Sequence, residues 1–201
     1  MFDIQTQLFE GRDIRFGAID YEKDPEIEAR WTHNSEFVRM MDIAPARPMS
    51  AAMVKKQYEK LEKQMEDRKN HFYFTIRARE EDRLIGKAIV QWIEWANGNG
   101  YLRLGIGAAE DRGKGYGTQA LRMLLRIAFA ELNLFRVSAL VPEYNTAAIA
   151  LLKKFGFVEE VRRRQSVERD ARRWNLLVFG LLQEEWLSRS NGQAQQVEQQ
   201  S

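Results

Sequence analysis

The sequence predicts an α+β fold (mixed α/β) in which helices flank a central, twisted and mostly antiparallel sheet with one parallel strand pair. Strand-like segments alternate with turn signals between His71 and Gly107, helical patterns lie on both sides of them, and a glycine-rich turn leads into an apolar helix and another strand. With 201 residues, 44% of them apolar, the chain can bury one substantial core. We therefore expect a single domain over residues 1–187.

The first third of the chain predicts one strand and two helices. Charged and apolar residues alternate from Arg12 to Ile19, as in a strand. Asp24-Pro25 is typical of a helix start, and we expect a helix over 26–41 with a break near residues 33–35. A second helix is predicted over 50–69. Its expected buried residues are Met53, Tyr58, Leu61 and Met65.

The rest of the chain predicts a three-stranded meander, a crossover and a final hairpin. Asn97-Gly98-Asn99-Gly100 is a strong hairpin signal. A strand that returns through a helix lies parallel to the first, with a right-handed connection, which gives the parallel pair. The expected ranges are 71–79, 84–95 and 102–107 for the meander, 118–132 for the helix, 136–141 for the parallel strand, and 157–168 and 173–182 for the hairpin. Residues 188–201 are rich in Gln and Ser and predict a disordered tail.

Composition excludes several classes of protein. Without cysteine there is no disulfide framework and no thiol nucleophile, and the two histidines, His33 and His71, are far apart, so we expect no metal site. No apolar run reaches the roughly 18 residues that span a bilayer, and the N-terminus lacks the regions of a signal peptide. We expect a cytoplasmic protein with no membrane partner. A net charge of +2 is too small to indicate a nucleic-acid partner.

The segment before the central helix is typical of an anion site. Three glycines alternate in Gly113-Lys114-Gly115-Tyr116-Gly117, and glycine accepts positive φ and leaves no Cβ between backbone and ligand. The helix N-terminus that follows presents unpaired N–H groups and the positive end of its dipole. Together these features suit a pyrophosphate.

Two common phosphate motifs fit this segment less well. A Walker A loop fails because Arg112 stands where its second glycine belongs and Gly115 follows Lys114. Residues 115–120 satisfy the dinucleotide pattern G-x-G-x-x-A. That pattern normally opens a domain of repeated βαβ units, whereas here about 100 residues precede it and one crossover follows. Both readings are therefore disfavoured.

Two sequence blocks carry a resemblance to a known family. Arg112-Gly113-Lys114-Gly115-Tyr116-Gly117 resembles the [QR]-x-x-G-x-G/A signature of the GCN5-related N-acetyltransferase (GNAT) family. About thirty residues later, NTAAIALLKKFGF (residues 145–157) resembles the family's N-x-x-A-x-x-[LF]-Y-x-K-x-G-F element. The stretches GKGYGTQALRMLLRIAF, LNLFRV and GLLQEEW are similar to a bacterial subgroup containing ribosomal-protein N-terminal and spermidine acetyltransferases.

The resemblance implies the GNAT fold and acetyl-CoA as co-substrate. It implies that the parallel strands splay apart, that the pantetheine arm lies between them, and that a backbone N–H between Leu104 and Gly107 stabilises the developing oxyanion. Asn145 is expected to hold the cofactor arm through its side-chain amide. The residues that the resemblance assigns to cofactor binding are Leu104, Ile106, Gly107, Arg112, Gly113, Lys114, Gly115, Tyr116, Gly117 and Asn145.

The sequence departs from the family at two catalytic positions. The tyrosine that often protonates the departing thiolate is replaced by Leu152, and we name Tyr144 or a water as its substitute. The glutamate that often begins the strand before the glycine turn is also missing, since Leu102 and Arg103 occupy that region. Glu94 is then the candidate base, with a water chain to solvent as an equal alternative. Loss of the tyrosine does not forbid turnover, because a thiolate whose acid has a pKa around 8.5 leaves without help.

Two groups of side chains have both a structural and a functional interpretation. Trp92 and Trp95 can line an acceptor pocket, but core or sheet cover is the favoured reading. Arginines crowd the last hairpin and suggest either a nucleic-acid or ribosome contact or, preferably, a solvated hairpin or subunit contact. These arginines are Arg162, Arg163, Arg164, Arg169, Arg172 and Arg173.

The predicted function is transfer of an acetyl group from acetyl-CoA to a primary amine by direct attack, the acceptor being a small amine, a polyamine or a protein N-terminus. An acid-rich first helical region suggests a cationic acceptor such as a polyamine, unless these side chains simply face solvent. They are Glu22, Asp24, Glu26, Glu28 and Glu36. The alternatives are an acyl-CoA-binding protein with weak or lost catalysis and a ribosome- or RNA-associated module. A homodimer is frequent among similar proteins.

Overall fold

A seven-stranded mixed sheet forms the centre of the molecule, as the sequence predicts. The computed structural model describes residues 7–189. The strand order is β1-β2-β3-β4-β5-β7-β6, and every neighbouring pair is antiparallel except β4 and β5. The strands are β1 (Ile14–Gly17), β2 (Phe72–Ala78), β3 (Leu84–Glu94), β4 (Asn99–Ile106), β5 (Arg136–Pro142), β6 (Val158–Arg169) and β7 (Arg172–Leu182).

Capping side chains start three of the helices. The first helix differs from expectation, because Lys23 stands at its cap position and the Asp24 carboxylate accepts from Arg77 and the Asp20 amide instead. The break in the first helical region is real, because Asn34 accepts a hydrogen bond from the Phe37 amide and starts a second helix. Ser50 caps the third helix in the same way. The helices are α1 (Asp24–Thr32), α2 (Ser35–Met41), α3 (Ala51–Arg68), α4 (Tyr116–Arg126) and α5 (Thr146–Lys154), and α4 continues as a π-helical turn over Ile127–Glu131.

The parallel pair opens into a gap. Strands β4 and β5 pair only where Asn99–Tyr101 faces Arg136–Ser138. Beyond this point β4 continues along β3 as far as Ile106, while β5 continues along β7 as far as Pro142. The two strands therefore separate towards their carboxyl ends, which is the splay that the family resemblance implies.

The two faces of the sheet carry different layers. Alternation along β4 directs Leu102, Leu104 and Ile106 into the main core with α4 and α5. The opposite face is covered by α1, α2 and α3 through two smaller clusters, one around Val54 and Tyr58 and one around Trp31, Phe37 and Leu84. The gap between β4 and β5 is therefore bordered by α4 and α5 on one face of the sheet and by α1, α2 and α3 on the other.

Some side chains differ from expectation. Met53 is 42% exposed, because Val54 and Tyr58 form the buried stripe of α3 instead. Trp92 and Trp95 are half exposed at the far end of β3 rather than buried in the core.

The chain ends carry two further observations. Residues 183–189 are helical, so residues 188 and 189 differ from the predicted disorder, and the rest of the predicted tail, residues 190–201, lies outside the described residues. None of the helices within residues 7–189 has the length and apolar character needed to cross a bilayer.

Candidate active site

The glycine turn at the start of α4 is an open backbone cradle. Gly113 and Gly115 have φ of 76° and 86°, a region that favours glycine. A Cβ built on either residue meets no atom within 4 Å. Both residues are exposed, so the space above the turn is available to a ligand.

The N-terminus of α4 supplies the donors for this cradle. Gly115 is its N-cap and has no side chain to accept from the first amides of the helix. The positive end of the helix dipole and the exposed Lys114 add favourable charge for an anion. These residues fit a pyrophosphate, because they offer main-chain donors, positive charge and room together.

Arg112 holds the turn from inside the protein. Its guanidinium donates to the carbonyl oxygens of Ile106 (3.3 Å) and Gly107 (2.9 Å) and lies 3.3 Å from the Glu36 carboxylate. Its backbone N–H bonds the carbonyl of Ala109. Arg112 therefore ties the end of β4 to the turn, and its side chain is not directed at the cradle.

A buried carboxylate anchors the same turn to the β2–β3 hairpin. Asp111 is 1% exposed and receives a bidentate pair from Arg83 at 2.7 and 2.8 Å. The hydrogen bonds and charge of Arg83, with Lys114, hold the pKa of Asp111 below its usual value. Asp111 is a site-shaping residue that the sequence analysis did not single out.

The edge of β4 that faces the gap presents backbone N–H groups. The N–H of Gly107 points to the Ile85 carbonyl on β3 (2.9 Å). Because backbone groups alternate between the two edges of a strand, those of Ile106 and Leu104 point the other way, towards β5. Between Leu104 and Gly107, these are the two residues whose backbone N–H groups face the gap, so they stay the predicted donors to the substrate carbonyl.

Three side chains bind the carboxyl end of α2 over the gap. The Tyr144 hydroxyl donates to the Arg39 carbonyl (3.0 Å), the Asn145 amide to the Met40 carbonyl (3.1 Å), and Arg103 to the Met41 carbonyl (3.0 Å). These carbonyls have no partner within the helix. Since Arg103 belongs to β4 and the other two follow β5, α2 is fixed to both sides of the splay.

A pocket of about 300 Å³ lies beneath α2, on the face of the sheet that α1, α2 and α3 cover. Its floor is formed by Lys87 and Ile89 of β3 and Arg103 of β4, and its walls come from α1, α2, the α2–α3 loop and α3. The Met41 side chain packs on Gly105 so closely that a Cβ there would overlap it. The pocket therefore lies beside the part of β4 that faces the gap.

Glu28 lies at the inner wall of this pocket and is 4% exposed. Its carboxylate accepts from Lys87, from the Tyr58 hydroxyl (2.7 Å) and from the Tyr73 hydroxyl (3.2 Å). Burial raises the pKa of Glu28, but the charge of Lys87 and these three hydrogen bonds outweigh burial and lower it overall.

The structure does not bring Glu94 to the site. Glu94 is paired with Asn99 at the hairpin end of β3, and β4 runs about 23 Å from Asn99 to Ile106 at roughly 3.3 Å per residue. Its exposed carboxylate accepts only long hydrogen bonds from Asn97 and Asn99. The choice of Glu94 as the nearest carboxylate is corrected by this geometry, because the end of β3 meets the start of β4.

Tyr144 does lie near the gap, but its hydroxyl donates its hydrogen bond to the backbone carbonyl of Arg39. Burial raises its pKa above the ordinary value. Leu152, at the position where the family often has tyrosine, is 6% exposed and belongs to the core.

The acid-rich region does not form a single binding site for a cation. Each of its five carboxylates has a basic partner, and the pairs of Glu22, Glu26 and Glu36 are exposed and therefore weak, so these residues do not converge on one acceptor site. The pairs are Glu22–Lys55 (3.4 Å), Asp24–Arg77 (2.8 Å), Glu26–Arg30 (4.0 Å), Glu28–Lys87 and Glu36–Arg112 (3.3 Å).

The arginine-rich hairpin is mostly engaged within the chain. Arg169 donates to the carbonyls of Ile43 and Ala44, and Asp170 pairs with Arg39 at 3.0 Å. Arg162 pairs with Glu159, and Arg172 stacks on Trp174. The hairpin tip thus closes over the α2–α3 loop.

This arrangement defines a CoA-dependent acyltransferase. The model of the acetyltransferase (GNAT) domain family matches residues 16–158, and the chain belongs to that family. Family membership confirms the predicted resemblance, the fold, and the class of acetyl-CoA-dependent N-acetyltransferases that act on amines.

Similar proteins agree with this class. The chain is 27% identical over 164 residues to an uncharacterized N-acetyltransferase, p20, of Bacillus licheniformis, covering 82% of this chain and 90% of that protein. It is 35% identical over 79 residues to the putative ribosomal N-acetyltransferase YdaF of Bacillus subtilis, covering 39% and 43%. The fold is similar to that of a spermidine N-acetyltransferase from Vibrio cholerae solved with CoA and spermine (TM-score 0.76, 20% identity, covering 87% and 98%).

Proposed function

We propose that the acceptor of this N-acetyltransferase is a small primary amine that binds in the pocket beneath α2, on the opposite side of β4 from acetyl-CoA. The observation that carries the proposal is the placement of this pocket against Arg103 of β4 and against Met41, which covers Gly105, between the open glycine cradle and the point where β4 and β5 meet. The pocket's size suits a small molecule, since about 300 Å³ is at the lower end of ligand sites.

Acetyl-CoA supplies an acetyl group already activated as a thioester. Gly113, Gly115, Gly117 and the first amides of α4, starting with Tyr116, bind its pyrophosphate, and Lys114 adds positive charge. Ile106 and Leu104 present the backbone groups that bind the pantetheine arm and stabilise negative charge on the carbonyl oxygen. Gly107, Arg112 and Asn145 keep the end of β4, the glycine turn and the gap in place.

The amine must lose a proton, because an alkyl amine with a pKa near 10.4 is mostly protonated at pH 7. Glu28 and Asp42, the two carboxylates of the pocket, are both ion-paired and have lowered pKa values, so neither is matched to this task. We infer that the proton passes to solvent water. The N–C bond then forms, the attacking nitrogen loses its second proton to water, the C–S bond breaks, and the thiolate leaves without Tyr144 and is protonated by water.

A thiol-release assay over a panel of amines tests this function. Release of CoA above the buffer rate with at least one amine is expected. Tight CoA binding with no release on any amine would instead support an acyl-CoA-binding protein. An RNA or ribosome interaction that weakens steeply with salt would support the third candidate. A cytoplasmic location and a homodimer stay predictions.

A further inference from the structure

The charges around the acceptor pocket differ from those of a polyamine site. Glu28 already accepts from one ammonium and two hydroxyls. Asp42 accepts from Arg103 at 2.6 Å and from the Ala44 amide at 2.9 Å. Because both carboxylates have their own cation, a second ammonium group on an acceptor would have to displace Lys87 or Arg103 to find a partner.

One cation at the rim of the pocket has no such partner. Arg47 lies in the α2–α3 loop, lines the pocket and is exposed. Among residues 7–189, no carboxylate and no carbonyl is bonded to its guanidinium. The five charged groups that line the pocket, Glu28, Asp42, Lys87, Arg103 and Arg47, therefore leave one positive charge uncompensated.

The loop that carries Arg47 is held in place on both sides. Arg169 of the β6–β7 hairpin bonds Ile43 and Ala44, and the Met49 amide donates to the Thr32 hydroxyl at 2.8 Å. Pro45 and Pro48 also restrict the backbone of this short segment. Arg47 is therefore a cation on an anchored loop.

We propose that the acceptor is a primary amine that carries a carboxylate, and that Arg47 binds this carboxylate while the amine points towards β4. This inference rests on the function proposed above and narrows it to a substrate class. The guanidinium suits a carboxylate because it can form two parallel hydrogen bonds. A diamine or polyamine of the same length meets only paired carboxylates and an unpaired arginine.

The test compares amines that differ in one group. Acetylation is measured as kcat/KM, calculated per concentration of unprotonated amine, for δ-aminovalerate, amylamine and cadaverine, which share a five-carbon chain, and for leucine and isoamylamine. The carboxylate-bearing amine of each set is expected to be favoured about 10- to 100-fold, as for a hydrogen bond to a charged group. Arg47→Gln should abolish this preference, and Arg47→Glu should invert it towards cadaverine. The exposed Arg164, which lies on β6 outside the pocket, gives the matched control Arg164→Gln, with wild-type selectivity expected.

The outcomes separate the two proposals. If cadaverine or amylamine is acetylated as well as the amino acids, or if Arg47→Gln keeps the preference, the substrate class is wrong while the acetyltransferase function stands. If CoA binds but no amine releases thiol, the acetyltransferase function fails and the substrate class fails with it. Acetylation of peptide N-termini in preference to every small amine would also overturn the substrate class.

Discussion

The side-chain amide of Asn145 donates a hydrogen bond to the carbonyl oxygen of Met40 across 3.1 Å. Its side-chain oxygen accepts from the Ala148 amide, also at 3.1 Å, as the N-cap of α5. One residue thus joins the start of α5 to the end of α2 beside the gap between β4 and β5. The donor and the acceptor of the same amide have separate structural roles, which makes them separable by mutation.

Asn145→Asp should keep the cap and lose the donor. Aspartate caps helices as well as asparagine does, so the free energy of unfolding should stay close to that of the wild type, whereas Asn145→Ala should lose about 0.5–2 kcal/mol. Both variants should raise KM for the amine, because α2 covers the acceptor pocket. Denaturant unfolding and steady-state kinetics measure the two effects. An Asn145→Asp enzyme with wild-type KM would show that the bond to Met40 does not support the pocket.

Gly107 should not tolerate a side chain. A Cβ there would overlap the indole ring of the buried Trp31, so Gly107→Ala should destabilise the protein by about 1–3 kcal/mol. Adding Trp31→Leu should recover part of this loss by making room. The double-mutant cycle, measured by denaturant unfolding, should give a coupling of opposite sign to the single losses. Additive losses would mean that the two residues do not contact in solution.

The Asp111–Arg83 pair should make stability depend on pH. The pKa of Asp111 is lowered in the folded protein, so its contribution is present above the unfolded value of about 3.9 and is lost as pH falls below it. Arg83→Gln should therefore be less stable than the wild type at pH 7, and this difference should shrink below about pH 4. Unfolding free energies at several pH values test this, with Arg15→Gln as a surface control. A difference that does not change with pH contradicts the assignment.

The rate should follow the ionisation of the amine. Without an enzyme base near neutrality, kcat/KM should rise about tenfold per pH unit up to the pKa of the acceptor, near 10.4 for an alkyl amine. For an acceptor amine with a lower pKa, the rise of kcat/KM should end at a pH that is lower by the same number of units. A profile with a fixed break near pH 6–8 for every acceptor would reveal a general base that the pocket carboxylates do not explain.

Local signals were sufficient for much of the fold. Ser50 and Asn145 gave the starts of two helices, Pro25 gave the start of the first to within a residue, and the crossover rule gave the parallel pair. The Asn-Gly signal gave the hairpin but not its exact ends, because Asn99 and Gly100 already belong to β4. The prediction of Glu94 as the base was wrong, because it took the end of the preceding strand to lie near the glycine turn. In an antiparallel meander the end of β3 meets the start of β4, which is the end remote from the glycine turn.

The acceptor pocket could not be predicted in the same way. Glu28, Arg47, Lys87 and Arg103 lie on four different elements, and only the tertiary packing brings them together. The pairing of Asp24 with Arg77 and of Glu36 with Arg112 is likewise a long-range property. Exposure of Met53 depended on the rotation of α3, which Val54 and Tyr58 decided.

The affinity for CoA of glycine variants in the turn tests the central claim most directly. Gly117 has an ordinary helical φ and room for a Cβ, which would lie 3.8 Å from Leu151, so Gly117→Ala should keep or raise stability. Gly115→Ala adds backbone strain of about 1–2 kcal/mol, and Gly98→Ala at the other end of β4 is the control for such strain. Calorimetric titration with CoA should show at least tenfold weaker binding for Gly115→Ala, and binding close to that of the wild type for Gly117→Ala and Gly98→Ala. A folded Gly115→Ala variant that binds CoA as the wild type does would contradict the claim that the α4 turn holds the pyrophosphate.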